Sequence, residues 1–279
     1  MILSILTIAA PLLLITLGAL VSEYAGRLAM FMEHSINAGA FCCFAFTLAT
    51  GNLVLGMALS VLTCTLFVVA LEKTAARFDA NMFLVSLAMN LLFASLTTFF
   101  SVVIFKNRGV LTDEAFRFNA PVTRAVTTVL CYSLVGVLLF FIKKTMTGRA
   151  LRVTGSDSEV LRAYGKNPAW YRTLSWIVAA ASGALAGCVF AARLSAFVPG
   201  VSAGRGWTAL AAVFLGRKHP LLIVLSVLVF AVAEYASTTI QNIPLFARVP
   251  SSILLALPYL LALLLLIIVP QKTGHARTR

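Results

Sequence analysis

Eight stretches of this chain, at about residues 2–20, 36–50, 53–71, 82–105, 122–142, 173–192, 221–241 and 250–269, are nearly free of charge. Several reach the ~18 consecutive apolar residues that suggest a helix crossing the hydrocarbon core of a bilayer. Lipid supplies no hydrogen-bond partners, so such segments must satisfy their backbone N–H and C=O groups internally, as helices do. Composition points the same way. Hydrophobic residues make up 61% and charged residues 11% of the 279 positions, whereas soluble domains carry roughly 25% charged residues. A chain of this size has no interior large enough to hide that excess. The expectation is an all-α, polytopic transmembrane helix bundle, one domain over residues 1–279. The opening segment has no basic start and no small-residue cleavage site, so it is read as a retained helix rather than a signal peptide.

A ninth apolar piece, Gly206 to Gly216, is short. At 1.5 Å per residue it covers about 16 Å of a roughly 30 Å core. Half-helices of this kind are tolerated where protein or a water-filled cavity surrounds their free ends. It is expected to cross as one short or broken helix within the bundle, giving about eight to nine crossings; a re-entrant hairpin is the alternative. With nine crossings the basic residues divide unevenly. One side holds Arg27, Lys73, Arg77, Lys143, Lys144, Arg149, Arg152, Arg162, Lys166, Arg172, Arg217, Lys218, Lys272, Arg277 and Arg279. The other holds Lys106, Arg108, Arg117, Arg124, Arg193, Arg205 and Arg248. The positive-inside rule puts the richer side in the cytoplasm. The N-terminus is then outside and the C-terminus inside, as expected for a multi-pass protein of a bacterial inner membrane.

The net charge of +13 would suggest nucleic acid in a soluble protein. Here the cations sit at the ends of apolar runs, where they orient helices and meet anionic lipid headgroups. No nucleic-acid partner is expected. Cys42, Cys43, Cys64, Cys131 and Cys188 all fall inside apolar runs without zinc spacing, and read as small packing residues. His34, His219 and His275 are scattered, so neither a metal site nor a histidine-based catalytic centre is expected. No GxxxxGK[ST] run occurs, so ATP is not bound in the usual way. A transport protein without catalytic residues or cofactors of its own fits these observations better than an enzyme.

Within the run 173–192, Gly183 and Gly187 stand four residues apart among alanines and Ser182. Small residues at that spacing let helix backbones approach closely in lipid, which marks this helix as central. The longest polar stretch, 143–172, carries its own punctuation. Ser156 and Glu159 fit a capping box. Val160, Leu161 and Tyr164 are expected on one face, Gly165 at the left-handed end, and Pro168 as the stop. A helix of about two turns with both a cap and a stop suggests a docking element for a cytoplasmic partner rather than a plain connector.

Here the chain resembles a known family. Leu161-Arg162-Ala163-Tyr164-Gly165-Lys166-Asn167-Pro168 is similar to the RA-x-G-x-NP cytoplasmic motif of ABC-importer permeases of the ribose, branched-chain amino-acid and nucleoside group. Thr147 to Arg152 resembles its lead-in, Ser182 to Gly187 its SGALAG helix, and Gly204 to Arg217 its GF-x-AIAVALLGR stretch. Pro11 to Leu14, Gly18, Ser22, Glu23, Gly26, Glu33 and Gly39 to Phe41 resemble the start of the nucleoside and simple-sugar branch, in its second permease subunit. Ala29, Phe31 and His34 depart from that branch, which has an asparagine and two glycines in their place. Added bulk there changes how closely a backbone or ligand approaches, and is compatible with a riboflavin importer of the same branch.

The resemblance implies a permease subunit for a nucleoside, simple sugar or riboflavin. Its partners would be a separate ATP-binding subunit that consumes the ATP, a second permease subunit in a heterodimer, and a periplasmic or lipid-anchored binding protein reaching loops 107–121 and 194–205. Ser156, Glu159, Arg162, Ala163, Gly165, Asn167 and Pro168 would couple to the ATPase. Glu234 and Asn90 are polar groups inside apolar runs, where an ionisable residue must be paired, protonated or wetted. With Trp207 and Tyr235 they are candidate lining of the translocation path, although Asn90 more often signals a helix-to-helix hydrogen bond. Glu23 and Arg27 are spaced as a local ion pair. The rival from another class is an ion-coupled secondary transporter with Glu234 as proton carrier.

Overall fold

The computed structural model describes residues 1–240 and, beyond them, Leu260, Leu263, Leu264 and Ile267. Among the described residues six helices are long and apolar enough to cross a membrane: α1 (Ile2–Tyr24), α3 (Leu53–Arg77), α4 (Met82–Phe105), α5 (Ala120–Lys144), α8 (Pro168–Leu194) and α10 (Pro220–Ile240). To these are added α2 (Met32–Thr50), the short α6 (Met146–Ser156) and α7 (Ser158–Ala163), and α9 (Arg205–Leu215). The described residues contain no named strand. The expected run 250–269 lies outside them apart from those four positions.

The entries to several helices are set by short polar side chains. Asn52 Oδ1 accepts from the N–H groups of Val54 and Leu55 at the start of α3, and Asn81 Oδ1 from Phe83 at the start of α4. Each satisfies backbone donors that the first helical turn leaves free. The structure starts α2 four residues before its apolar run, so Glu33 lies in the first helical turn. With 19 residues it is about 28 Å long.

Burial separates the helices into an interior and a shell. The most apolar windows of α1 and α8 are 61% and 67% buried, while those of α3, α4 and α5 are 28%, 22% and 22% buried. The interior forms where small residues let backbones touch, as the Gly183 and Gly187 spacing predicts. A Cβ on Gly187 would lie 2.7 Å from the Ala40 nitrogen, and one on Gly183 would lie 2.9 Å from Ser35 Oγ. From the other side, a Cβ on Gly39 would lie 2.7 Å from the Ala184 carbonyl carbon. Helices α2 and α8 therefore lock backbone to backbone, a packing driven by dispersion and shape where lipid provides no hydrophobic force.

The two ends of the bundle differ. At one end the 107–119 and 195–201 segments meet: Leu111 and Phe197 exchange two backbone hydrogen bonds of 2.9 Å. Phe197 packs edge-on against Phe41 at 5.4 Å, and Phe116 against Phe44 at 5.0 Å. At the other end lie α6, α7 and the ends of α1 and α9. Tyr24 donates its hydroxyl to the Lys218 carbonyl at 2.5 Å, and Lys218 Nζ pairs with Glu23 at 2.7 Å. The segment from Ser195 through α9 thus starts at the aromatic end and finishes beside α6. It joins opposite ends of the bundle.

Candidate functional site

Between α5 and α8 the chain leaves the bundle and returns. Thr145 Oγ1 accepts the Gly148 N–H at 3.0 Å to begin α6, and the Arg152 guanidinium lies 4.8 Å over the Tyr24 ring. The turn into α7 differs from the expected capping box. Ser156 closes α6, its hydroxyl donating to the carbonyls of Arg152 and Val153 at 3.2 Å each. The cap is Asp157, whose Oδ1 accepts from the N–H groups of Glu159 and Val160 at 2.9 and 3.4 Å. Asp157 is extended where Ser156 is still helical, and only an extended residue can aim its side chain back at the following turn. The Glu159 carboxylate turns forward instead, accepting from Arg162 at 2.9 Å.

The apolar face also splits. Leu161 is buried against the bundle, whereas Val160 and Tyr164 are 43% and 78% exposed. A helix advances about 100° per residue, so Val160 and its neighbour Leu161 point in different directions, and Tyr164 lies just past the last helical residue, Ala163. Gly165 has φ +69°, and its N–H donates to the Arg162 carbonyl at 2.9 Å. Asn167 Oδ1 then caps α8 by accepting the Ala169 N–H at 3.0 Å, with Pro168 as first helical residue. Ser156, Glu159, Arg162, Ala163, Gly165, Asn167 and Pro168 accordingly form one continuous stretch at the surface, with Pro168 buried at its return point.

The polar groups within the apolar runs fall in two places. Asn90 is buried, and its Oδ1 accepts the His34 backbone N–H at 3.1 Å, tying α4 to the start of α2. Glu234 on α10 pairs with Arg205 at the start of α9. The Arg205 guanidinium also lies 4.7 Å over the Phe190 ring of α8, so both faces of its charge are used. Trp207, two residues along α9, is 41% exposed, and Tyr235 is half-buried beside Glu234. Three helices therefore meet at Arg205, with two ionisable groups, each side chain 24% exposed.

Two further clusters escape sequence reasoning. Glu33 is 7% exposed. Its Oε1 accepts from Ser202 Oγ at 2.5 Å and Gly204 N–H at 2.7 Å, and its Oε2 accepts from Gly206 N–H at 2.7 Å. Asn37 braces the same loop: its Nδ2 donates to Ser202 Oγ at 2.8 Å and its Oδ1 accepts from Ser202 N–H at 3.1 Å. The partners are more than 160 residues apart in sequence, so no local spacing signals the contact; only the place of Glu33 in the resemblance marks it. The second cluster replaces the expected Glu23–Arg27 pair. Glu23 goes to Lys218, and Arg27 Nη1 reaches Glu72 Oε1 at 2.6 Å. Helix α1 ends at Tyr24, so Arg27 lies beyond the helix on which an i, i+4 pair would form.

Among the described residues the fold is a helix bundle with six candidate membrane spans, a shorter apolar helix and an exposed capped turn. The chain belongs to the branched-chain amino acid transport system / permease component family, which matches residues 1–270. The guanosine ABC transporter permease protein NupQ of Bacillus subtilis is 28% identical over 94% of this chain and 89% of its own length. A Haloferax volcanii protein provisionally named as the glucose ABC transporter permease TsgC13 is 26% identical over 85% of this chain and 76% of its own. Among solved structures, PsaBC from Streptococcus pneumoniae in complex with Fab superposes with a TM-score of 0.58 at 14% identity, covering 95% of this chain and 91% of that one; it shares the fold. The chain is a permease, not an enzyme.

Proposed function

We propose that this permease subunit forms half of the membrane path of an ABC importer for a small sugar-bearing metabolite, and that its α6–α7 segment is where a separate ATPase pushes. The observation that carries this reading is the exposed, capped α7 turn in a chain of the permease family. Val160, Arg162 and Tyr164 project from it. Leu161 roots it in the bundle, and α8 begins four residues after Tyr164. A push on α7 would therefore reach the most deeply buried helix through a short, stiff connection. In this account a second permease subunit completes the path as a heterodimer. A periplasmic or lipid-anchored binding protein delivers ligand at the aromatic end, and the ATPase alone consumes ATP.

The path itself is assigned to the meeting of α8, α9 and α10. Arg205 and Glu234 offer donors and acceptors that match sugar hydroxyls, and Trp207 and Tyr235 supply flat apolar surface beside them. Guanosine and glucose, for which the two relatives are named, share a hydroxylated sugar ring; riboflavin carries a hydroxylated chain. Orientation follows the basic residues. Lys143, Lys144, Arg149, Arg152, Arg162 and Lys166 gather at the α6–α7 end, which the positive-inside rule assigns to the cytoplasm of the cell.

Uptake into proteoliposomes, with radiolabelled guanosine, glucose and riboflavin as separate arms, tests the reading. Uptake that requires ATP and the partner ATPase and survives a protonophore is the expected result. Uptake driven by a proton gradient without ATP would favour the secondary-transport rival, in which Glu234 carries the proton.

A further inference from the structure

Helix α9 starts inside the bundle, with Gly206 in its first turn buried against protein. Four N–H groups at any such start lack intrahelical partners, and leaving them unpaired in a buried site is costly. Five helix starts solve the problem locally, with Asn52, Asn81, Thr145, Asp157 and Asn167 capping their own helices. Here the local cap residue is Gly204, which has no side chain to offer and stands at φ +78°. The acceptor comes from another helix. Glu33 of α2 takes the Gly204 and Gly206 N–H groups at 2.7 Å each, and the Ser202 hydroxyl at 2.5 Å.

This carboxylate does more than fill lone pairs. A negative charge at a helix N-terminus is favoured by the aligned peptide dipoles, most of all when water is excluded. Among the described residues no cation pairs with Glu33, so the helix start and the Ser202 hydroxyl are its counterparts. The approach is close: a Cβ on Gly206 would lie 2.5 Å from the Glu33 Cα. Arg205 stands between the two clamped N–H groups, and it is Arg205 that pairs with Glu234 and covers Phe190.

We infer that Glu33 is a positioning residue: it caps α9 from α2 and thereby sets where Arg205 and Trp207 stand in the path. This rests on the assignment of the path to Arg205 and Glu234. Ser202 and Asn37 hold the loop that delivers the cap, and Glu33 supplies the charge. A neutral amide of the same size keeps one acceptor oxygen and turns an NH2 toward an N–H group or hydroxyl that needs an acceptor. Glu33→Gln is therefore a sharper lesion than its size suggests.

The test uses the complete transporter in proteoliposomes, with the chain carrying fluorotryptophan and its Trp207 resonance identified by loss in Trp207→Phe. In Glu33→Gln the Trp207 resonance moves or broadens while that of Trp170, on α8 near the other end, stays in place. ATP-driven uptake falls about tenfold, the scale of a lost hydrogen bond to a charged group. Combining Glu33→Gln with Glu234→Gln lowers uptake no further than the worse single change, because both disturb the same Arg205. Ser202→Ala, which removes one donor and leaves the carboxylate, shifts Trp207 less and serves if Glu33→Gln fails to insert. A Trp207 resonance unchanged in these variants overturns the clamp, as do strictly multiplicative losses in the double variant. A shifted Trp207 with wild-type uptake in both Glu33→Gln and Glu234→Gln leaves the clamp standing and removes the path assignment instead.

Discussion

Glu33 and Glu72 are both buried carboxylates on apolar helices, and their oxygens find partners in different ways. Glu72, on α3, is held by ions and a hydroxyl: Arg27 at 2.6 Å, Thr173 Oγ1 at 3.0 Å and Lys73 at 3.9 Å. Glu33 is held by two backbone N–H groups and a hydroxyl. Removing Glu72 orphans a cation, whereas removing Glu33 orphans dipoles. The first arrangement ties the loop after α1 to α3 and α8, with Trp176 Nε1 donating to the Arg27 carbonyl at 2.9 Å. The second fixes the start of a helix. One behaves as a rivet at the α6–α7 end, the other as a bearing in the interior of the bundle.

The contrast is measurable, and the largest effect belongs to the rivet. Glu72→Ala leaves Arg27, whose side chain is 16% exposed, with no close partner. It is expected to destabilise the chain by about 3–5 kcal/mol, read as a lower thermal midpoint in detergent. Replacing both partners at once, Arg27→Met with Glu72→Met, should cost less than Glu72→Ala alone, since no unpaired charge remains; a larger loss would show that the pair is not a simple ion pair. Glu33→Ala should cost about 1–3 kcal/mol, the scale of unpaired buried dipoles rather than of a buried ion. Asp157 performs the same capping as Glu33 but in water, so Asp157→Ala should cost only about 1 kcal/mol while weakening ATPase coupling. Ser156→Ala should leave both nearly unchanged. Glu159→Gln, which removes an exposed pair with Arg162, should likewise change the thermal midpoint by the equivalent of about 0.5 kcal/mol or less.

Much of this architecture can be read directly from the residues. Apolar runs locate the six long helices because burial in lipid demands one property over a long window, and composition carries that property. Gly183 and Gly187 mark α8 as central because only a missing Cβ admits a backbone at 2.7 Å; which helix it meets is not in the spacing. What fails is local geometry decided by one residue. Ser156 and Asp157 are both good caps, and the difference lies in which of them is extended. Likewise Glu23 and Arg27 have helical spacing, yet α1 stops at Tyr24 and each charge finds a distant partner. The clamp on α9 is the least legible part. Gly204, Arg205 and Gly206 look like a helix start lacking a cap, and that deficit is the only local trace of a carboxylate from α2.

The central claim, that α7 meets a partner ATPase on the cytoplasmic side, is tested most directly at Val160 and Tyr164. Both are exposed and neither side chain supports the bundle. Val160→Cys and Tyr164→Cys, each in the assembled transporter, should form thiol cross-links to the ATPase subunit whose yield changes with ATP. In intact cells both should resist a membrane-impermeant thiol reagent. Labelling of either position from outside the cell, with no cross-link to the ATPase, would contradict the account.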